Sequence, residues 1–153
     1  MIDDLYSAKI LGLVANMPRA GRLAAPDASS EKVAKLCGSR ITVDVVVEDG
    51  KVVDFAQDVS ACALGQAAAA ILGQNVVGAD LSEIELARDW LVAMLKSNGS
   101  PPAGRFAELA VLEPVKDYPA RHASTLLAFD ATVEAVRKAT GVGERRTSTA
   151  GGS

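Results

Sequence analysis

The chain has 153 residues, a length that favours one domain, and its 49% hydrophobic and 23% charged residues describe a globular chain rather than a disordered or fibrous one. Net charge is -3 with a pI near 5.2, and Lys and Arg are spread along the chain, which leaves no basic footprint for a nucleic-acid backbone. Two cysteines are too few for a disulfide scaffold, residues 1–20 lack a basic-then-apolar leader pattern, and the apolar run 61–72 is broken by Gly65 and Gln66. The expectation is a cytoplasmic protein with no nucleic-acid partner and no membrane span.

Residues 3–15 place Leu5, Ile10, Leu13 and Val14 on one helical stripe behind Asp3 and Asp4, and Pro18 closes that helix. Residues 19–36 carry Gly21, Pro26 and the polar run Asp27-Ala28-Ser29-Ser30, so they read as a loop with room for a short edge strand that the pattern does not place. Alternation then begins: Ile41, Val43, Val45 and Val47 share one face, with Thr42, Asp44 and Glu48 mostly on the other. Asp49 and Gly50 suit a tight hairpin turn, and Val53, Phe55 and Val59 alternate with Asp54 and Asp58 on the return strand.

An Ala-rich helix is predicted over about 64–74 and another over about 82–96, where Ser82 and Glu85 have capping-box spacing and Asn98-Gly99 supplies the stop. Trp90 and Met94, four apart, read as core. Pro101 and Pro102 mark a loop, followed by a short helix over 105–112 and a long one over about 120–140, with Gly141 at its C-terminal cap position. Residues 142–153 hold Gly, Ser, Thr and charge without periodicity and read as a disordered tail, leaving 1–141 as a single domain. The order of elements gives an α+β fold with helices on one face of a small antiparallel sheet.

Cys37 lies just before the first hairpin strand, and Cys62 lies just after the second, at the start of a helix. Antiparallel pairing brings these two positions, 25 apart in sequence, to one end of the sheet, within reach of a shared metal or of each other. A helix N-terminus also favours a thiolate at Cys62. The competing reading is that both are small buried hydrophobes. With one histidine, His122, no Ser-His-Asp set assembles without it.

Five segments in order then resemble one family. They are Leu5-Tyr6 with Asn16-Met17-Pro18-Arg19 and Gly21-Arg22-Leu23; Cys37-Gly38-Ser39-Arg40-Ile41; Glu48-Asp49-Gly50-Lys51-Val52; Ala61-Cys62-Ala63-Leu64; and Tyr118-Pro119-Ala120-Arg121 with Leu127-Ala128-Phe129-Asp130-Ala131. Together they resemble the U-type iron-sulfur cluster scaffolds, the IscU, SufU and NifU N-terminal group. The resemblance implies a three-stranded sheet and a surface site of three cysteines and one aspartate that holds zinc or assembles a cluster. It further implies a cysteine desulfurase and apo-protein acceptors as partners, and no enzymatic activity in the strict sense.

Cys37 and Cys62 match the first two cysteine positions, but Ser39 stands at the aspartate position and Ser124 where the third cysteine belongs. The serine-rich helix start is altered as well, to Gly65-Gln66-Ala67. Three thiolates and a carboxylate would bring about -4 to such a site, whereas two thiolates and two hydroxyls bring about -2, and a hydroxyl is a weak ligand at neutral pH. His122 is two residues from Ser124, a helical divergence of about 200° that argues against its replacing the side chain at 124. The expectation is therefore a scaffold-like protein that handles sulfur, iron or zinc through Cys37 and Cys62, with Cys37 as sulfur acceptor and Ser39, Ser124 and His122 as candidate lining residues. A cluster or zinc would be held weakly, transiently or not at all. The alternatives are a metal-free adaptor with a decayed site, or a thiol redox protein cycling Cys37 and Cys62.

Overall fold

A computed structural model describes residues 8–15, 17–35, 38–100 and 102–141. In chain order it contains α1 (Ala8–Ala15), β1 (Ala28–Ala34), β2 (Ser39–Glu48), β3 (Lys51–Ser60), α2 (Ala63–Asn75), α3 (Leu81–Lys96), a run of 3-10 turns (Gly104–Asp117) and α4 (His122–Thr140). The strands form one antiparallel sheet in the order β1-β2-β3. This is the expected α+β architecture, and the loop over 19–36 contains the edge strand that the sequence pattern could not place.

Alternation decides which face of the sheet is covered. Ile41, Val43, Val45 and Phe55 are buried against the helices, and α4 lies across β1 and β2 while packing on α2 and α3. The hairpin turn has positive φ at both Asp49 (54°) and Gly50 (78°), which matches the twist of the paired strands. Phe129 of α4 meets Phe106 edge-on, with centroids 5.5 Å apart, and ties the 3-10 run to the core.

The helix α2 is buried along its whole middle, from Leu64 and Gly65 to Leu72 and Gly73. Its alanines let neighbouring backbones come close, and its two glycines mark the tightest contacts. A β-carbon on Gly73 would lie 2.7 Å from Gln57 Nε2 and 3.1 Å from the Pro18 carbonyl oxygen, so a side chain there would drive α2 off the sheet edge. Gln57 fastens that contact, since its Nε2 donates to the carbonyls of Ala69 (2.9 Å) and Pro18 (3.2 Å).

Two local expectations need adjustment. The cap of α3 is Asp80, not Ser82: Asp80 accepts from the Glu83 amide at 2.9 Å while Glu83 Oε1 accepts from the Asp80 amide at 3.3 Å. Asp80 wins because its backbone is already held extended by a bridge to Lys51, so the helix starts earlier and Ser82 falls inside it. The short helix expected over 105–112 is present but runs over Gly104–Asp117 as 3-10 turns, interrupted at Phe106 (φ -107°, ψ 27°) and containing Pro114, whose missing N–H and ring disfavour a continuous α-helix. Gly141 does cap α4, at φ 78°. The expected tail, 142–153, and the first turn of the predicted N-terminal helix lie outside the described residues.

Residues 19–27 cross the open face of the sheet as a strap. They first bridge to β3, where the Gln57 amide donates to the Arg19 carbonyl (2.9 Å) and the Gly21 amide to the Gln57 carbonyl (2.8 Å). Asp44, fully buried in the middle of β2, then pins the crossing. Its carboxylate accepts from Arg22 Nε (2.7 Å) and NH2 (3.0 Å), from the Leu23 amide (2.9 Å) and from the Ser29 hydroxyl of β1. Burial alone would push this carboxyl up, but the four donors override it and hold it down at about 2, against an ordinary 3.8.

Because the folded value is depressed, Asp44 contributes its stability above about pH 4, and that contribution is lost as pH falls from about 4 towards 2. Replacing Asp44→Ala should cost ~3 kcal/mol in urea denaturation at neutral pH, because it strands the Leu23 amide and the Ser29 hydroxyl. It should also flatten the loss of stability over that acid range, which unfolding midpoints at several pH values will show.

Candidate functional site

The sheet pairs Ala34 with Ser39 and Arg40 with Ser60, so the β1–β2 connection and the exit of β3 share one end of the sheet. Gly38 in that connection has φ of 69°. Cys37 lies outside the described residues. At this end the chain leaves β3 and turns into α2 with Cys62 as the N-cap residue, extended at φ -67° and ψ 169°, while α4 brings its first turns alongside.

Three side chains converge there. Ser39 Oγ and Ser124 Oγ are 3.0 Å apart, and Ser124 Oγ is 3.3 Å from Cys62 Sγ. Both serines are buried, at 1% and 0% exposure, and the thiol is half-buried, so the chain of hydroxyls runs inward from an accessible sulfur. The residues at the two departures from the resemblance, Ser39 and Ser124, therefore satisfy each other and leave neither hydroxyl unpaired.

Half-burial would push the Cys62 thiol up. The Ser124 hydroxyl, the amides of Gly65 and Leu64, and the positive charge of Arg121 outweigh it and hold the thiol below its ordinary value. The two amides act by proximity, as neither makes a full capping hydrogen bond to the sulfur.

His122 is buried at the first position of α4, where its Nε2 lies 3.0 Å from the Val115 carbonyl of the 3-10 run, whereas Ser124 faces Cys62 and Ser39. Among the described residues no three of His, Cys, Asp and Glu gather as a metal cage. The described residues bring one thiol and two mutually bonded hydroxyls to this end, which by themselves are a poor donor set for a closed zinc site. The amides of Gly65 and Leu64 are the helix N-terminus that the sequence places at Cys62, whereas Arg121 reaches the thiol only through the packing of α2 on α4, although a cation three residues before Ser124 is a signal present in the sequence.

The alkylation rate of Cys62 against pH should rise with a midpoint below that of a free cysteine, and Ser124→Ala should move that midpoint up. Mass spectrometry of each thiol over a pH series measures both.

Residues 5–125 match the family described as NifU-like N terminal domain. A curated relative, the iron-sulfur cluster assembly scaffold protein IscU of Thermotoga maritima, is 27% identical over 134 residues, which cover 88% of this chain and 94% of that protein. A crystal structure of a nitrogen-fixing NifU-like protein (N-terminal) from Brucella abortus superposes with a TM-score of 0.89 at 51% identity, covering 91% of this chain and 96% of the other. The crystal structure of a scaffold protein for the SUF system from Fervidobacterium islandicum gives a TM-score of 0.80 over 88% of this chain and 98% of that one; at 19% identity it speaks for the fold. With the match spanning most of its length, this chain belongs to the NifU-like N-terminal domain family.

Proposed function

We propose that this chain is a scaffold for iron-sulfur cluster assembly that handles its cargo through two thiols. The observation that carries the reading is the convergence of Cys62, Ser39 and Ser124 at one end of the sheet, in a chain whose relatives include a named cluster scaffold. Iron and sulfide are cargo rather than resident cofactors in this reading. Two thiolates hold them only transiently, because clusters rest most often on four thiolates.

Cys37 is the sulfur acceptor. Its thiolate attacks the outer sulfur of a persulfide on a cysteine desulfurase; the donor's S–S bond breaks, a new S–S bond forms on Cys37, and the donor leaves as its thiolate with no net electron transfer to a third party. Cys62, half-buried and already held by Ser124, joins as a ligand once sulfur has arrived. Apo-proteins take the product, and the scaffold itself turns over no substrate. A second reading, a metal-free adaptor that keeps the docking fold, draws support from the Ser39–Ser124 pair, which closes the donor end without a metal.

Incubation with a cysteine desulfurase and L-cysteine under anaerobic conditions should leave a persulfide on Cys37, lost in Cys37→Ser and kept in Cys62→Ser. Sulfur on Cys62 alone reverses the division of labour, and sulfur on neither thiol favours the adaptor. Restoring donors should restore metal: Ser39→Asp with Ser124→Cys is expected to bind about one zinc per chain, and either change alone should bind less tightly. A folded double variant whose zinc titration matches that of the unchanged chain would show that the end of the sheet no longer closes around a metal.

A further inference from the structure

The chain departs from the pattern it resembles at Gly65, in the helix start after Cys62, and at Ser124, and the fold puts these two departures in contact. A β-carbon on Gly65 would lie 2.7 Å from Ser124 Oγ, 3.1 Å from the Ser124 carbonyl oxygen and 3.0 Å from the Ala61 β-carbon. Gly65 and Ser124 are both buried, so a side chain added at 65 has no solvent to point into.

We propose that Gly65 is a positioning residue for Cys62: its missing side chain leaves the space in which the Ser124 hydroxyl reaches the sulfur. The main-chain and Ala61 contacts, at 3.1 and 3.0 Å, ask for a shift of only a few tenths of an ångström, but the hydroxyl at 2.7 Å must move. Its cheapest escape is rotation about χ1 of Ser124, and that rotation carries Oγ away from both Cys62 and Ser39. Gly65 and Ser124 are thus one complementary pair rather than two separate losses: a side chain at 65 and a sulfur-bonded hydroxyl at 124 exclude each other. The site is rebuilt around a hydroxyl that holds the thiol, which is a different outcome from simple decay. The inference rests on the reading of Cys62 as a working thiol of the scaffold, but its test uses neither cluster nor desulfurase.

In a Cys37→Ala background Cys62 is the chain's one thiol, and its rate of alkylation by iodoacetamide at neutral pH reads whether the hydroxyl is on the sulfur. Ser124→Ala should slow the reaction about threefold or more, because a hydrogen bond that favours the thiolate is lost. Gly65→Ala should slow it by the same factor with Ser124 still present, and the double variant should be no slower than either single one. A structural glycine alone would give independent effects that multiply.

An unchanged rate in Gly65→Ala, or a multiplied effect in the double variant, overturns the proposal. An unchanged rate in Ser124→Ala overturns it too, while leaving sulfur transfer to Cys37 untouched. Should Gly65→Ala not fold, Gly65→Ala with Ser124→Gly removes the colliding hydroxyl and must fold and react at the slow rate. If that variant also fails to fold, something other than the Ser124 hydroxyl demands glycine at 65, and the proposal falls.

Discussion

The close approach of α2 to its neighbours on both sides is the constraint from which the site follows. An Ala-rich helix with nothing larger than hydrogen at Gly65 and Gly73 sits between α4 at one end and Pro18 and Gln57 at the other. Interiors are packed densely enough that one added methyl at either point must displace a neighbour. Cys62 is delivered to Ser124 because its helix is wedged here, and its thiol acquires a hydroxyl neighbour as a consequence of backbone packing rather than of local sequence.

The second organising contact is electrostatic. Asp44 gathers the strap, β1 and β2 on the face of the sheet opposite α4, and a buried carboxylate with four donors holds one geometry better than apolar contact would there. The two faces of the sheet are thus secured by different physics: apolar packing under α4, and one satisfied charge under the strap.

These two devices also mark where the sequence stopped being legible. The hairpin, α2, α3 and α4 were readable because period-2 and period-3.6 patterns and a turn at Asp49-Gly50 report on short stretches. β1 was not, since its core-side positions are Ala28, Ser30, Lys32 and Ala34 and carry no apolar alternation. Asp44 looked like an ordinary solvent-facing residue because its partners Arg22 and Ser29 are distant in sequence. At the site, aligning the family's segments put Ser39, Cys62 and Ser124 together, and they are together in the fold. The mutual bonding of the two serines and the closeness of Gly65 to Ser124 depend on the separation of two helices, which no spacing rule encodes.

In the proposed function this scaffold fold works with a donor set too weak to keep metal by itself. The most direct measurement is the iron, zinc and sulfide content of the unaltered chain, purified anaerobically and desalted. Well under one metal per chain is the predicted result. A tightly held, stoichiometric metal would contradict the account, since two thiolates beside two self-satisfied hydroxyls supply too few donors to explain it.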